Sequence, residues 1–238
     1  MFELKWLGTL DYEAALKVQE QTAEGLRQTA GAIVLACEHP TVITLGKRGQ
    51  ALDDILISLE VLRKEGVRIF ATDRGGQATL HNPGQLVLYP ILPLKKWHLG
   101  VRQYVECLER ATACLLAEHG LDVTRGYEPG LFVNGKKIAA FGIRVDRGVS
   151  LHGVAINIYN KLEPFSWIRQ CGMTVEASNL LAEMAAFSRQ EPHLSLPGLA
   201  QRWAEIFLEE LENLKLEPKT PPAFSVDPST DPSTDLSV

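Results

Sequence analysis

Three kinds of residue in this chain combine a reactive type with a suggestive setting: a cysteine beside a glycine, a lysine beside a turn, and a histidine inside a glycine-rich run. Cys171 stands between Gln170 and Gly172, and a glycine neighbour lets a thiol stand exposed at a turn. An ordinary thiol ionises at about 8.5, so little of it is thiolate at neutral pH, and an adjacent ammonium is a standard way to raise that fraction. Lys137, just after the turn dipeptide Asn134-Gly135, is the candidate ammonium. A solvated lysine beside a hairpin turn is the other reading of the same residue. Cys37, Cys107 and Cys114 read as small core hydrophobes, the first on a strand and the other two on a helix face. The cysteines show no Cys-x-x-Cys spacing, so neither a zinc site nor a disulfide framework is indicated, and no metal or cofactor is expected.

The histidine is His81, in the run Asp-Arg-Gly-Gly-Gln-Ala-Thr-Leu-His-Asn-Pro-Gly-Gln-Leu-Val-Leu-Tyr-Pro from Asp73 to Pro90. Gly75 and Gly76 let a backbone approach a ligand or take up positive φ, and Leu86-Val87-Leu88-Tyr89 reads as a buried strand closed by Pro90. A loop is therefore expected against the sheet, with a plain Gly-Pro turn between two strands as the alternative. His81 is expected either to hydrogen-bond a ligand or to orient the loop, Arg74 either to touch a ligand or to form a structural ion pair, and His152 to be a strand residue with a satisfied ring.

The elements that must position these groups follow from periodicity and turn chemistry. Asp11 is a fair N-cap for a helix over 12–26, and 32–37 and 41–45 read as strands. A short helix over 59–66 and a strand over 67–70 lead into the glycine run. Apolar positions from Val101 to Leu116 keep a helical period. A β-meander follows: Leu131 to Val133, the Asn134-Gly135 turn, a strand from Lys136 to Val145, a turn at Asp146-Arg147-Gly148, and a strand from Val149 to Ile158. Ala140 and Gly142 recur on one strand, Gly153 and Ala155 on the next. Set opposite one another, they leave a shallow trough with room for an aliphatic chain, though glycines of this kind also mark close packing of a helix. Strict alternation puts Lys137 on the face opposite Ala140 and Gly142, so a bulge, or backbone contacts with the ligand, is needed to reconcile lysine and trough. A last amphipathic helix carries Leu199, Trp203, Ile206, Phe207, Leu211 and Leu214, preceded by Pro197-Gly198.

At 238 residues, 45% hydrophobic and 22% charged, the chain reads as one mixed α/β domain over 1–216 with a disordered Pro/Ser/Thr/Asp tail over 217–238. A net charge of −5 argues against a nucleic-acid binder. The sequence holds no run of membrane-spanning length and no signal-peptide plan at Met1, which places the protein in the cytoplasm.

The run from Asp73 to Pro90 resembles the signature of the octanoyltransferases of protein lipoylation. Two later stretches agree with it: Lys136-Lys137-Ile138-Ala139-Ala140-Phe141-Gly142-Ile143-Arg144 resembles the family's lysine segment, and Ile168-Arg169-Gln170-Cys171-Gly172 the segment of its nucleophilic cysteine. The resemblance implies a mixed, largely antiparallel sheet backed by helices, like the catalytic domain of biotin and lipoate ligases. It implies transfer of octanoyl from octanoyl-acyl carrier protein to Cys171 and then to a lysine of the lipoyl domains of 2-oxoacid dehydrogenase and glycine cleavage complexes, without ATP. Lys137 would lower the pKa of Cys171. The family's acyl-binding segments fall on Arg74, Gly75, Gly76, Gln77, Ala78, Thr79, Leu80 and His81, on Ala140, Phe141 and Gly142, and on Gly153, Val154 and Ala155. Departures are Leu80 where the family has an aromatic, Asn82 where it has glycine, and Gln170 where it has proline. Leu80 is expected to keep an apolar wall of altered shape, and Asn82 to tolerate positive φ. The competing readings are an ATP-dependent lipoate or biotin ligase, a non-catalytic acyl or lipoyl-domain binder, and a thioesterase that ends the cycle with water. Because both implied partners are acidic, a basic rim is expected, with Lys47 and Arg48, Lys95 and Lys96, and Lys136 and Arg144 as its candidates.

Overall fold

A computed structural model of the protein describes residues 1–126, 129–169, 175–186 and 194–216. The chain begins with β1 (Phe2–Thr9) and α1 (Tyr12–Leu26), whose buried positions Tyr12, Ala15, Gln19, Ala23 and Leu26 recur three or four apart. Asp11 precedes α1 without a side-chain cap; its carboxylate pairs instead with Arg68 at 3.1 Å. Next come β2 (Ala32–Glu38), β3 (Val42–Leu45), a single turn α2 (Ala51–Asp54), α3 (Leu59–Lys64) and β4 (Arg68–Ala71). Ser58 caps α3 by accepting from the Val61 amide.

β5 (Ala78–His81) and β6 (Gln85–Ile91) follow. The run expected as a loop is thus a short loop, a strand and a tight turn through Gly84, whose φ is +89°. Pro90 does not close β6 but sits inside it. It is tolerated because the neighbouring strand leaves the ladder there: pairing runs from Gln85 to Leu88, lapses beside Pro90, and resumes where the Ser150 amide donates to Leu92 O. Beyond it lie α4 (Val101–Ala117), β7 (Thr124–Arg125), β8 (Gly130–Val133), β9 (Lys136–Asp146), β10 (Val149–Asn157), α5 (Leu180–Ala185) and α6 (Leu196–Leu216). Helix α6 begins before Pro197, which takes the first turn, where its missing N–H costs no hydrogen bond.

Seven strands form one mixed sheet in the order β1-β2-β6-β10-β9-β8-β7, parallel only between β1 and β2. This is the mixed, largely antiparallel sheet expected. A separate three-stranded sheet, β4-β3-β5, was not foreseen. Period-2 alternation divides the large sheet's faces: Val34, Ala36, Leu86, Leu88 and Ile156 pack under α4 and α6, while Leu35, Cys37, Val87, Tyr89 and Ala155 face α1. On the first face Trp203 stacks on Phe207 at 4.8 Å and donates to Thr112 Oγ1 at 3.0 Å, so the buried indole N–H is satisfied. Cys37 and Cys107 are buried as expected, with burial pushing the Cys107 thiol up to about 12, but Cys114 is exposed because it falls on the outer flank of α4. Both hairpin turns of the meander have positive φ at two successive residues, Asn134-Gly135 and Arg147-Gly148, the geometry that matches strand twist. The tail over 217–238 lies outside the described residues.

Candidate active site

Register makes the trough. Gly153 faces Gly142 and Ala155 faces Ala140 across the β9–β10 pair, leaving a floor without side chains beyond a methyl. Close approach requires Gly153 and crowds Gly142. A Cβ on Gly153 would stand 2.2 Å from Leu88 O and 2.7 Å from Pro90 Cδ, and one on Gly142 would stand 3.1 Å from Arg74 Cδ. Over this floor the glycine loop is fixed by its own backbone, since the Gly75 amide donates to Ile143 O at 2.9 Å. The two surfaces enclose a narrow pocket between the glycine loop and the floor of β9 and β10.

Arg74 holds the loop in shape. Its guanidinium donates to Thr44 O and Gln77 O, both at 2.8 Å, to Thr44 Oγ1 and to Gly75 O. These bonds clamp the carbonyls of the loop and of β3. Arg74, Gly76, Ala78, Thr79 and His81 line the pocket, as do the predicted residues of β9 and β10. Gly75 and Gln77 do not; their backbone groups are committed to holding the loop. Leu80 points the other way, fully buried with Ile43, Leu62 and Phe165 in the core of the small sheet, so it forms no wall of the pocket. Asn82 has no positive φ; its amide donates to Lys161 O and accepts from Asn160.

Sequence reasoning missed Tyr12, Val87, Tyr89, Pro129 and His152, which complete the lining. Tyr12 stacks on the His81 ring at 5.9 Å, and His39 sits edge-on to His81 at 5.5 Å while bonding the Tyr89 hydroxyl at 2.8 Å. Alternation along β6 already put Val87 and Tyr89 on one face. Only the placement of β6 beside β10 made that face the pocket. His152 was expected as an ordinary strand residue, yet it adopts φ +58° at the break in the ladder, where backbone geometry normally favours glycine. One ring nitrogen lies 3.2 Å from Asp73 Oδ1, while Nδ1 is buried without a hydrogen-bond partner. Burial depresses these imidazoles, His81 to about 3 and His152 to about 4, so both rings are neutral at ordinary pH.

Lys137 reaches the same pocket through a bulge. Leu131 pairs with Ala139 but Phe132 pairs with Lys137, leaving Ile138 as one extra residue on β9. That extra residue reverses the alternation, and Lys137 joins Ala140 and Gly142 in the lining. The lysine is only 5% exposed, which excludes the solvated reading, and its Nζ lies 6.0 Å from the centre of the Phe132 ring. Gly130 makes room: a Cβ there would stand 2.7 Å from Lys137 Cε. The lysine's backbone is held in turn by the segment 176–178, donating to Glu176 O at 2.8 Å and accepting from the Ser178 amide at 2.9 Å. Cys171, with Gln170 and Gly172, lies outside the described residues.

The arrangement is a largely apolar slot with the Lys137 amine in its lining. Among the described residues no group of three or more metal-ligating side chains exists, and no helix is long and apolar enough to cross a membrane. Residues 11–207 match the family described as the lipoyl protein ligase A/B catalytic domain. The chain is similar to the octanoyltransferase of Solibacter usitatus, 41% identical over 181 residues that cover 75% of this chain and 82% of that one. It is likewise similar to the octanoyltransferase of Methylococcus capsulatus, 44% identical over 173 residues covering 72% and 80% of the two chains. In three dimensions it is similar to lipoate-protein ligase A bound with ATP, at a TM-score of 0.71 and 17% identity over 88% of this chain and 85% of that one.

Proposed function

Because the chain belongs to the lipoyl protein ligase A/B catalytic-domain family and stands among its octanoyltransferases, we propose that it transfers octanoyl in protein lipoylation through an acyl-cysteine. The donor is octanoyl-acyl carrier protein, and the acceptors are lysines of the lipoyl domains of 2-oxoacid dehydrogenase and glycine cleavage complexes, in the cytoplasm. The observation that carries this reading is Lys137, a buried lysine brought by a bulge into the lining of a trough floored by glycine and alanine.

The chemistry proceeds in two balanced exchanges. In the first, the Cys171 thiolate attacks the donor's carbonyl carbon; a C–S bond to Cys171 forms, the carrier's C–S bond breaks, and the carrier leaves as a thiolate that takes up a proton. In the second, the neutral ε-amine of the acceptor attacks the same carbon; the C–N bond forms, Cys171 leaves as thiolate, and the amine's proton is given up. Lys137 stabilises the thiolate in both steps and moves the proton between leaving group and incoming amine. Thioester-for-thioester exchange is nearly isoenergetic and thioester to amide is downhill, so no nucleotide is consumed. Two supports bear on Cys171: the Arg169 amide, two residues before it, is fixed to Asp54 O at 2.8 Å, and Glu176, five residues after it, is fixed to Lys137.

The deciding experiment is incubation with octanoyl carrier protein and an unmodified lipoyl domain in the absence of ATP, followed by intact mass measurement of all three proteins. A 1:1 octanoyl adduct on Cys171, chased onto the lipoyl domain, is the expected result. Transfer that needs ATP and a free acid would put the chain with the ligases instead. An adduct released only to water would make it a thioesterase.

A further inference from the structure

Asn157 ends β10 and is 5% exposed, bonded on both sides of its amide. Its Oδ1 accepts from Gln85 Nε2 at 2.9 Å, and its Nδ2 donates to Ser178 O at 2.9 Å. The orientation of both amides is forced, because the carbonyls of Ser178 and Leu80 can only accept, so the amide nitrogens of Asn157 and Gln85 must face them. Gln85 therefore turns its Oε1 to His81 Nδ1, 2.8 Å away, which puts the ring proton on Nδ1 and leaves Nε2 as a bare acceptor. In the other direction, the Ser178 amide bonds Lys137 O, and the Lys137 amide bonds Glu176 O. One side chain thus joins the ring on the pocket wall to the backbone that carries the lysine.

We propose that Asn157 is a positioning residue for the transfer: it holds the segment 176–178 against Lys137, and through Gln85 it holds His81 in the tautomer with a free Nε2. The inference rests on the assignment of Cys171 and Lys137 above, because the segment that Asn157 pins continues directly from the one containing the cysteine. A misplacement of about 1 Å at a reacting pair costs on the order of a hundredfold in rate, so a bond that fixes the lysine's backbone is a lever on chemistry rather than on binding.

Asn157→Asp separates the two. The carboxylate keeps both acceptor bonds but sets an oxygen against Ser178 O. With a small octanoyl thioester as donor and the full chain as enzyme, kcat for acylation falls at least about tenfold while KM stays within about twofold. The inflection in the pH profile of Cys171 alkylation by iodoacetamide moves upward at the same time. Asn157→Ala carries the same expectation and serves if the aspartate variant does not fold. The control is Asn160→Ala, which removes bonds of 2.9 Å to Asn82 and 3.2 Å to Asn157 but spares the Ser178 contact. It lowers the melting temperature without moving the alkylation profile. An unmoved profile and kcat in the folded Asn157 variants, or an equal shift in Asn160→Ala, overturns the positioning role alone. Transfer that survives Cys171→Ser overturns the cysteine assignment and this inference together.

Discussion

A lysine buried to 5% exposure in the lining of a largely apolar slot is held there by its stem as much as by its charge. Gly130 leaves room for the Cε methylene, and the ammonium lies 6.0 Å from the centre of the Phe132 ring. Lys137→Met keeps the packing and removes the charge, so it is expected to lower transfer by about a hundredfold or more with a melting temperature close to wild type. Equal loss of activity and of fold would show that the lysine's role is structural. The floor of the slot gives a second test at the same scale. Ala140 is the small residue three positions beyond Lys137 and faces Ala155, so a leucine there fills the section next to the reacting end. Ala140→Leu is expected to reverse chain-length preference, with butanoyl thioester turned over faster than octanoyl. An unchanged preference would place the acyl chain elsewhere.

At the level of elements, the bulge in β9 is the device that makes the site, and Gly130 on the partner strand is what permits it. Gly130→Ala would put a methyl 2.7 Å from Lys137 Cε and 3.0 Å from Ala139 O, contacts that no side chain tolerates unmoved. The expected cost is about 1–3 kcal/mol of stability from overpacking, and a loss of transfer larger than that destabilisation explains, measured by urea unfolding and turnover on the same preparation. A fully active variant would mean that the lysine stem has freedom to move away. Much of this was legible beforehand. The meander was readable because Asn134-Gly135 and Arg147-Gly148 name their own turns, and the facing of Ala140 and Gly142 with Gly153 and Ala155 follows from the length of the second turn. The need for a bulge was legible as a contradiction between Lys137 and the trough, but its position was not, because an extra residue is defined only against the partner strand. His152 was misjudged for a related reason. Its positive φ exists because β10 must break from β6 opposite Pro90, and that neighbour relation is absent from either stretch alone. The direction of Leu80 was lost because β5 belongs to a second sheet whose existence only the tertiary structure reveals.

For the molecule as a whole, the neutral histidines of the pocket make stability depend on acid. Burial holds His81 at about 3 and His152 at about 4 against 6.5 for the free ring, so on acidification the unfolded chain takes up protons before the folded one. Stability is then full above pH of about 6.5 and falls by up to about 1.4 kcal/mol per pH unit for each histidine as pH drops toward the folded values. Urea unfolding at pH 7 and pH 5 is expected to show the native state losing ground at pH 5; a flat profile between them would show that the rings are solvated. With octanoyl carrier protein as the proposed donor, charge is also expected to act at this scale. Of the three basic pairs named from the sequence, Lys136 is paired with Glu176, and Arg144 is held by Asp73 and Asp146. Lys95 and Lys96 are exposed but lie beside the β9–β10 turn, where the Leu94 amide bonds Gly148 O. That turn is the far end of β9 from Lys137, about 30 Å away at the rise of a strand. Lys47 is exposed and its backbone is tied to the glycine loop, its amide bonding Arg74 O at 3.0 Å. Surface charges of this kind act mainly on the association rate and are screened by salt. Lys47→Glu is therefore expected to slow acylation by octanoyl carrier protein several-fold, to leave acylation by a small octanoyl thioester nearly unchanged, and to lose its effect as salt is raised. Reversal of Lys95 and Lys96 together is expected to do less with the same donor. If the distant pair has the larger effect, the carrier docks along the sheet's far edge and its prosthetic arm must cross the length of β9 to reach the lysine.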